Sequence, residues 1–588
     1  MRTRWTVALF AGFLFLAPSV AAQWPGSTAV DLLIADRTGG QTIPLIESSS
    51  DGGTYIAWFD PASGNFDVYL QRLSAAGVEM WAHNGVLVSS HPQNSALFGW
   101  DMIVDSNDNA IVVFSDERDG NDLDIQAYKV GKDGQLLWGA NGVTLSSNPD
   151  FEPRPRVAEA SDGDFVFVWG RDPSTGDGDI MMQRLSPDGV PRFAAGGITL
   201  VAAAGESPGF PEIAPAGNGS VIVSWLRSIA NFASPRHIRA QRFSSTGAPV
   251  WGSPVEVYNA FSVPIGYGPG IVDDGNGGAL LWWHRSDGTF FNAFVQHLDS
   301  DGTELFLAGG VAVSTTANMH HIDPALVHDR DTGEIFVFWN ERSANQALRG
   351  IFGQKLSAAG ARQWTDGGKQ LMPVDAVTKS APRAVGLDDG AIVFLIDVPI
   401  ATDRLIAIRV DTTGDPVWAA SPVVLSSAAS GKSRYPVTID RNGVGKVVWE
   451  DDRGVDVDLY GQNVNPSGSL GIGASPGRTT GLVVGRSVST PGDLLLQWDP
   501  SCTLGALDYG VYEGEVGNWY SHVAIDCTDD WGDLQEEIQP DTNHRYYLVV
   551  PLNATEEGSH GIGLGVERPA PAAVNRCRAV QLVKDCPP

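Results

Sequence analysis

One pattern returns every 54 to 58 residues along most of this chain, and few folds can satisfy it. A large apolar residue ends a β-type run at Trp58, Phe114, Trp169, Trp225, Trp283, Trp339, Leu395 and Trp449. A second marker follows each one, in the form Gln71-Arg72-Leu73, Tyr128-Lys129-Val130, Gln183-Arg184-Leu185 and so on to Gln462-Asn463-Val464. Eight copies of one supersecondary unit are therefore present.

The second copy shows what the unit contains. Ala110–Phe114, Asp124–Val130 and Leu136–Leu145 read as strands, and DERDGND and GKDG between them supply the Asp, Asn and Gly that turns demand. An earlier fourth strand makes each copy a four-stranded antiparallel meander. A third marker, a ring after the third turn, stands at Trp81, Trp138, Phe193, Trp251, Phe306, Trp364 and Trp418 but is missing from the eighth copy. Trp24 lies one repeat before Trp81 and is followed by the strand-like Ala29–Ala35. The N-terminal strand is thus expected to complete the last sheet. Units of about 56 residues closed in this way predict an all-β chain, an eight-bladed β-propeller over 23–470, rather than an open solenoid with distinct polar caps.

Residues 1–22 carry Arg2 and Arg4, an apolar run Val7–Ala17 and the small residues Val20-Ala21-Ala22, the form of a secretory signal peptide too short to span a bilayer. The expected location is extracellular or periplasmic, as a secreted protein. Removal of the leader takes two arginines and no acids, so the net charge of −30 becomes −32. Such a chain is a poor partner for nucleic acid, and no membrane insertion and a monomer are expected.

The only cysteines are Cys502, Cys527, Cys577 and Cys586. An even, clustered set in an exported chain reads as disulfides. Three pairings are open, and the sequential one, Cys502–Cys527 and Cys577–Cys586, is preferred because each closes a short loop. The remainder divides into a linker at 471–478, a strand-rich module at 479–570 and a tail at 571–588.

DLLLQWDPSC, DYGVYEGEVGNW and HRYYLVVP with EEGSHG resemble a fibronectin type III-like module found at the C-termini of secreted bacterial multidomain proteins. The resemblance implies a small β-sandwich with Trp498, Tyr546 and Tyr547 in its core, used as a spacer or adhesive domain. The repeats, best seen in VVFSDERDGNDLDIQAYKV and VVWEDDRGVDVDLYGQNV, are similar to exported bacterial repeat arrays, a likeness that speaks for fold more than activity.

In a meander sheet the loop between the second and third strands opens on the same face as the crossover to the next sheet. Asp60, Asp116, Arg118, Arg171, Asp172, Arg227, Arg285, Asp287, Glu341, Arg342, Asp397, Arg404, Asp452 and Arg453 fall there and predict a ring of ion pairs. The crossovers add Phe98, Trp100, Asp101, Phe151, Phe210, Phe261, Tyr267, His320, His321 and Tyr435. Aromatic rings beside charged groups are what a sugar ring or peptide side chain stacks on. Trp100 is the leading ligand contact in this set.

Asp116, Asp119, Asp122 and Asp124 offer oxygens of the kind calcium takes, as do Asp451, Asp452, Asp456 and Asp458, but neither run fits an EF-hand; no other cofactor is indicated. His320, His321 and His328 lack an HExxH arrangement. The propeller has no cysteine pair of the quinoprotein kind, no GxSxG and no sialidase Asp-box, so no catalytic residue is assigned. The expected function is a secreted, non-catalytic binding or adhesion protein for a carbohydrate or protein partner. The alternatives are a carbohydrate-active enzyme, glycoside hydrolase or lyase, on the same face, since paired carboxylates need no linear motif, and a structural envelope component.

Overall fold

The repeat becomes a sheet because its turn residues sit where the chain reverses and its apolar residues where both faces are covered. In the computed structural model, residues 23–581 are described, apart from 94–98, 119, 121, 174–176, 203–204, 230–234, 265–266, 331, 388, 400–401, 472–475, 502–505, 507, 529–533, 541–543, 554–555, 564–565 and 579. The leader therefore lies outside the described residues, as do Phe98, Asp119, Cys502 and Cys586.

Up to residue 464 the described strands form eight antiparallel sheets of four or five strands. The second copy is the sheet Asp101–Val104, Ala110–Asp116, Asp124–Val130 and Val143–Thr144. Its third apolar run differs from expectation: Leu136 only bridges to Val130, Trp138 stands in the turn, and the outer strand is two residues long. The N-terminal strand Leu32–Ala35 pairs with Asp458–Val464, so both chain regions share one sheet, as the displaced Trp24 predicts. The inner strands of neighbouring sheets touch in sequence, and Val437–Ile439 of the eighth copy returns against Thr42–Ser48 of the first. This is a propeller-type repeat.

All three markers are structural. Trp58, Phe114, Trp169, Trp225, Trp283, Trp339, Leu395 and Trp449 are buried between sheets. The glutamine of the second marker clamps its strand to the following turn: Gln183 Nε2 donates to Ala194 O at 3.0 Å while Oε1 accepts from Phe193 N–H at 3.2 Å. The ring of the third marker crosses to the next sheet, where Trp138 Nε1 donates to Pro187 O at 3.1 Å and the ring covers Gly189. Gly189 has φ 79°, and a Cβ there would stand 2.7 Å from the indole, so both conformation and space require glycine. Trp24 makes the same contact with Gly77 and donates Nε1–H to Ala75 O at 3.1 Å, which closes the series from the eighth sheet onto the first.

The C-terminal module has two principal sheets, one of Val483–Arg486, Leu494–Gln497 and Gln535–Ile538, the other centred on Asp508–Glu515 and Arg545–Leu552 with Val523–Asp526 at its edge. Leu496, Trp498, Tyr509, Val511, Ile538 and Val549 pack between them. Tyr547 joins that core, but Tyr546 does not, because consecutive strand residues face opposite sides.

Cys527 is bonded to Cys577, with Cα atoms 5.1 Å apart. This overturns both sequential pairings. The chain after residue 570 folds back onto the sheet, with Cys577 N–H donating to the Tyr512 hydroxyl at 2.9 Å, so nearness in sequence does not decide nearness in space. Among the described residues no helix is long and apolar enough to cross a membrane.

Candidate functional site

Six of the eight inner strands have a residue in the left-handed backbone region at one equivalent place: Ile43, Gly99, Arg154, Phe210, Asp323 and Arg434 have φ between 42° and 81°. Five of these are not glycine, and a β-branched Ile43 at φ 52° is an outlier. Ile43, Phe210 and Asp323 lie at a bulge of the inner strand and Gly99, Arg154 and Arg434 just before its paired stretch, where the chain enters the sheet from the crossover, and proline follows in most copies, as at Pro44, Pro155, Pro211 and Pro324. Backbone strain repeated on one rim makes that rim the candidate end for a functional site.

In the second and eighth copies the place of that proline is taken by Trp100 and Tyr435, which explains why neither is a ligand platform. Trp100 is 5% exposed with its ring 4.4 Å from that of Phe59, and Tyr435 is 9% exposed with its hydroxyl 2.5 Å from Ser380 Oγ. Both seal the junction between sheets. Asp101 accepts the Val157 N–H at 3.0 Å, its carboxyl pushed up to about 6 by burial. Phe151 bridges to Asp172. Phe210 lies under the Arg154 guanidinium at 4.1 Å, and Phe261 under that of Arg285 at 4.6 Å.

His320 and His321 are buried too. His320 Nδ1 accepts the Phe291 N–H at 3.2 Å, while His321 stands 3.2 Å from Asn292 Oδ1 and 3.4 Å from Glu341, joining the fifth sheet to the sixth. Ion pairs within the expected set are present at Arg118–Asp116 (2.6 Å), Arg285–Asp287 (2.9 Å) and Arg404–Asp397 (2.6 Å), while Arg453 pairs with Asp451 (2.6 Å) rather than with Asp452. Arg118 occupies both oxygens of Asp116, and Asp124 accepts the Asn148 N–H at 3.2 Å. No group of three or more His, Cys, Asp or Glu side chains converges among the described residues.

Among the described residues, Tyr267 is the one expected contact that is both exposed and set in a cavity. That cavity, of about 390 Å³, opens on the rim between the fifth, sixth and seventh copies and is lined by Tyr267, Trp282, Trp283, His284, Asp323 and Arg383, among others. Trp282 lies across Gly270 of the inner strand, its cross-strand partner, where any Cβ would meet the indole at 2.1 Å.

His284 lies in the second strand of the fifth sheet, Ala279–Ser286, one place after the repeat tryptophan, where the other copies carry Phe59, Ser115, Gly170, Leu226, Asn340, Ile396 and Glu450. Its Nδ1 accepts the Asp323 N–H at 3.1 Å, so its proton is on Nε2. Burial, reinforced by Arg342, pushes its pKa down to about 4, and the ring is neutral at pH 7. The Tyr267 ring lies 4.7 Å from the imidazole, and Phe291 meets it edge-on at 5.6 Å.

Asp323, at φ 54°, has its carboxyl pushed up by burial against the opposing pull of Arg342 and Arg383. Arg342 Nη2 is 3.8 Å from it. Arg383 is exposed, and neither it nor Arg349 has a carboxylate within salt-bridge distance among the described residues. The contrast with the lysines is instructive, since Lys129, Lys132, Lys355, Lys369, Lys379, Lys432 and Lys446 are all ion-paired. Arg349 also stands directly opposite Arg342 across two strands, a like-charge pair that favours a bound anion.

His284, Asp323 and Arg383 were not among the expected contacts. For His284 the signal was available: an imidazole where most copies place an apolar or small residue.

No family model and no curated protein matches the chain. Solved structures do. An ulvan lyase from a new family of polysaccharide lyases is similar at 10% identity and TM-score 0.45, covering 74% of this chain and 97% of that one. An α-L-arabinanase of Penicillium chrysogenum (11% identity, TM-score 0.32) covers 76% and 100%. An α-L-arabinofuranosidase of Fusarium graminearum (12%, TM-score 0.36) covers 56% and 98%. At these values the likeness is one of architecture. The three named structures are of carbohydrate-active enzymes, and the expectation of a non-catalytic binding or adhesion protein is corrected accordingly.

Proposed function

We propose that this chain is a carbohydrate-active enzyme that cleaves a uronate-containing polysaccharide by β-elimination in the Tyr267 cavity. One observation carries the reading: a neutral histidine, a tyrosine tilted against it and an arginine without a carboxylate partner share one open cavity on the strained rim.

Elimination needs no water in the bond-breaking step. The proton α to the uronate carboxylate leaves, a double bond forms, and the glycosidic C–O bond breaks with a proton passing to the leaving oxygen. The barrier lies in the negative charge that spreads onto the carboxylate, which fixed cations and hydrogen-bond donors stabilise. Arg383 and Arg342 supply the positive charge and His284 Nε2 supplies an N–H. Tyr267 is the group placed to take and return the proton, within the field of Arg342. Hydrolysis would call for two carboxyl groups flanking the bond, whereas Asp323 is the one carboxylate lining this cavity.

The same reading takes the eight sheets as blades of a closed propeller, residues 1–22 as an export signal and the C-terminal module as fibronectin type III-like. The test is incubation of the purified chain with a panel of uronate polymers, following both ultraviolet absorbance of the unsaturated product and new reducing ends. Both should rise together, and Tyr267→Phe and Arg383→Ala should each lower the rate about 10²-fold or more. Reducing ends without absorbance would make the enzyme a hydrolase, and no cleavage of any polymer would end the proposal.

A further inference from the structure

The C-terminal module presents an aromatic surface that nothing in the cavity uses. Among the described residues Trp519 is the one exposed tryptophan, at 60%, and the adjacent Tyr520 is 44% exposed. Both lie on the turn between the strands Asp508–Glu515 and Val523–Asp526.

The turn is built to hold them out. Gly514 faces Tyr546 across the sheet, and a Cβ at Gly514 would stand 2.3 Å from the phenol ring, so that ring lies flat over the strand. The Tyr546 hydroxyl then accepts the Tyr520 N–H at 3.0 Å and sits 3.2 Å from His522 Nδ1. The Trp519 ring leans on Tyr546 at 5.4 Å. Further bonds run from Val516 N–H to His544 O at 3.0 Å and from Glu515 N–H to Ser521 Oγ at 2.9 Å. Tyr520 is held at φ 81°, a conformation costly for a bulky residue. Two large rings are thereby kept in solvent on a braced support, against the hydrophobic effect that would fold them in.

We infer that Trp519 and Tyr520 form a non-catalytic saccharide-binding platform on which sugar rings of the polymer substrate stack. The inference rests on the proposed function for its choice of polymer. Sugar rings suit this surface because they offer apolar C–H faces to aromatic rings and hydroxyls to a polar rim, here Asn518, Ser521 and His544. Turn rigidity lowers the ordering cost of binding. Val523 and Ile525 on the neighbouring edge strand are also exposed, and a protein partner for the aromatic turn is the competing occupant.

The full chain should be run in native gels containing uronate polymers, cellulose, xylan or arabinan, beside Trp519→Ala, Trp519→Phe and Tyr267→Phe, with thermal melting as the folding check. The expected result is retardation of the parent chain by at least one polymer, weakened tenfold or more by Trp519→Ala and largely kept by Trp519→Phe. Tyr267→Phe should be retarded like the parent although its turnover is lost. Equal retardation of Trp519→Ala, or none of the parent chain, would overturn the platform. Loss of the platform with elimination intact leaves the cavity reading standing, and retention without elimination does the reverse.

Discussion

Single residues carry the chemistry by departing from their repeat. His284 stands at a position filled elsewhere by Phe59, Leu226 or Ile396, and its neutrality follows from burial rather than from residue type. The inner strands show the same principle. Glu47 of the first sheet faces Asp101 of the second, and burial with that neighbouring charge pushes Glu47 up to about 8. A carboxyl with a raised folded-state pKa contributes stability below its unfolded value of 4.5 and loses it as pH climbs toward 8. Glu47→Gln should therefore raise the melting temperature at pH above 8 and leave it little changed near pH 4. A melting series across that range checks this, and an unchanged difference at both ends would show that this group stays well hydrated in the folded protein.

Elements are held to one another by a latch written into the repeat. Each third-marker ring reaches the turn of the next sheet, and Trp24 supplies the contact that joins the last sheet to the first. Trp24 is 3% exposed, and its replacement removes a buried indole and a hydrogen bond to Ala75 O. Trp24→Ala should cost about 3–5 kcal/mol, the range for large aromatic truncations. Denaturant unfolding measures it, and the loss should equal or exceed that of Trp138→Ala, because Trp24 also secures the seam between chain ends. This latch was legible from spacing alone. The strand expected at Leu136–Leu145 was not, since its aromatic and branched residues favour a strand by propensity while Gly139 and Gly142, at φ 87° and 63°, turn the chain instead.

At the scale of the whole molecule, the Cys527–Cys577 bond spans 50 residues and ties the chain after residue 570 to the sheet. Proteolysis of the unreduced protein should release one cross-linked peptide pair containing Cys527 and Cys577, and mass spectrometry would show a Cys502–Cys527 pair instead if the local pairing held. Periodicity was enough to specify the repeated four-stranded sheets and the sheet shared by Leu32–Ala35 and Asp458–Val464, because each depends on spacing of 2 along a strand or about 56 along the chain. Residue type was not enough to find the site. Trp100, Tyr435, His320 and His321 look like ligand contacts in sequence, yet they are consumed in sealing the junctions between sheets. Which aromatic stays open, which histidine loses its charge and which arginine lacks a carboxylate are properties of neighbours 39 to 116 residues away, such as Asp323 for His284 or Arg383 for Tyr267. The sequence by itself determined the repeat and its closure; only the tertiary structure, by setting burial and charge at each copy of one position, decided where the chemistry can occur.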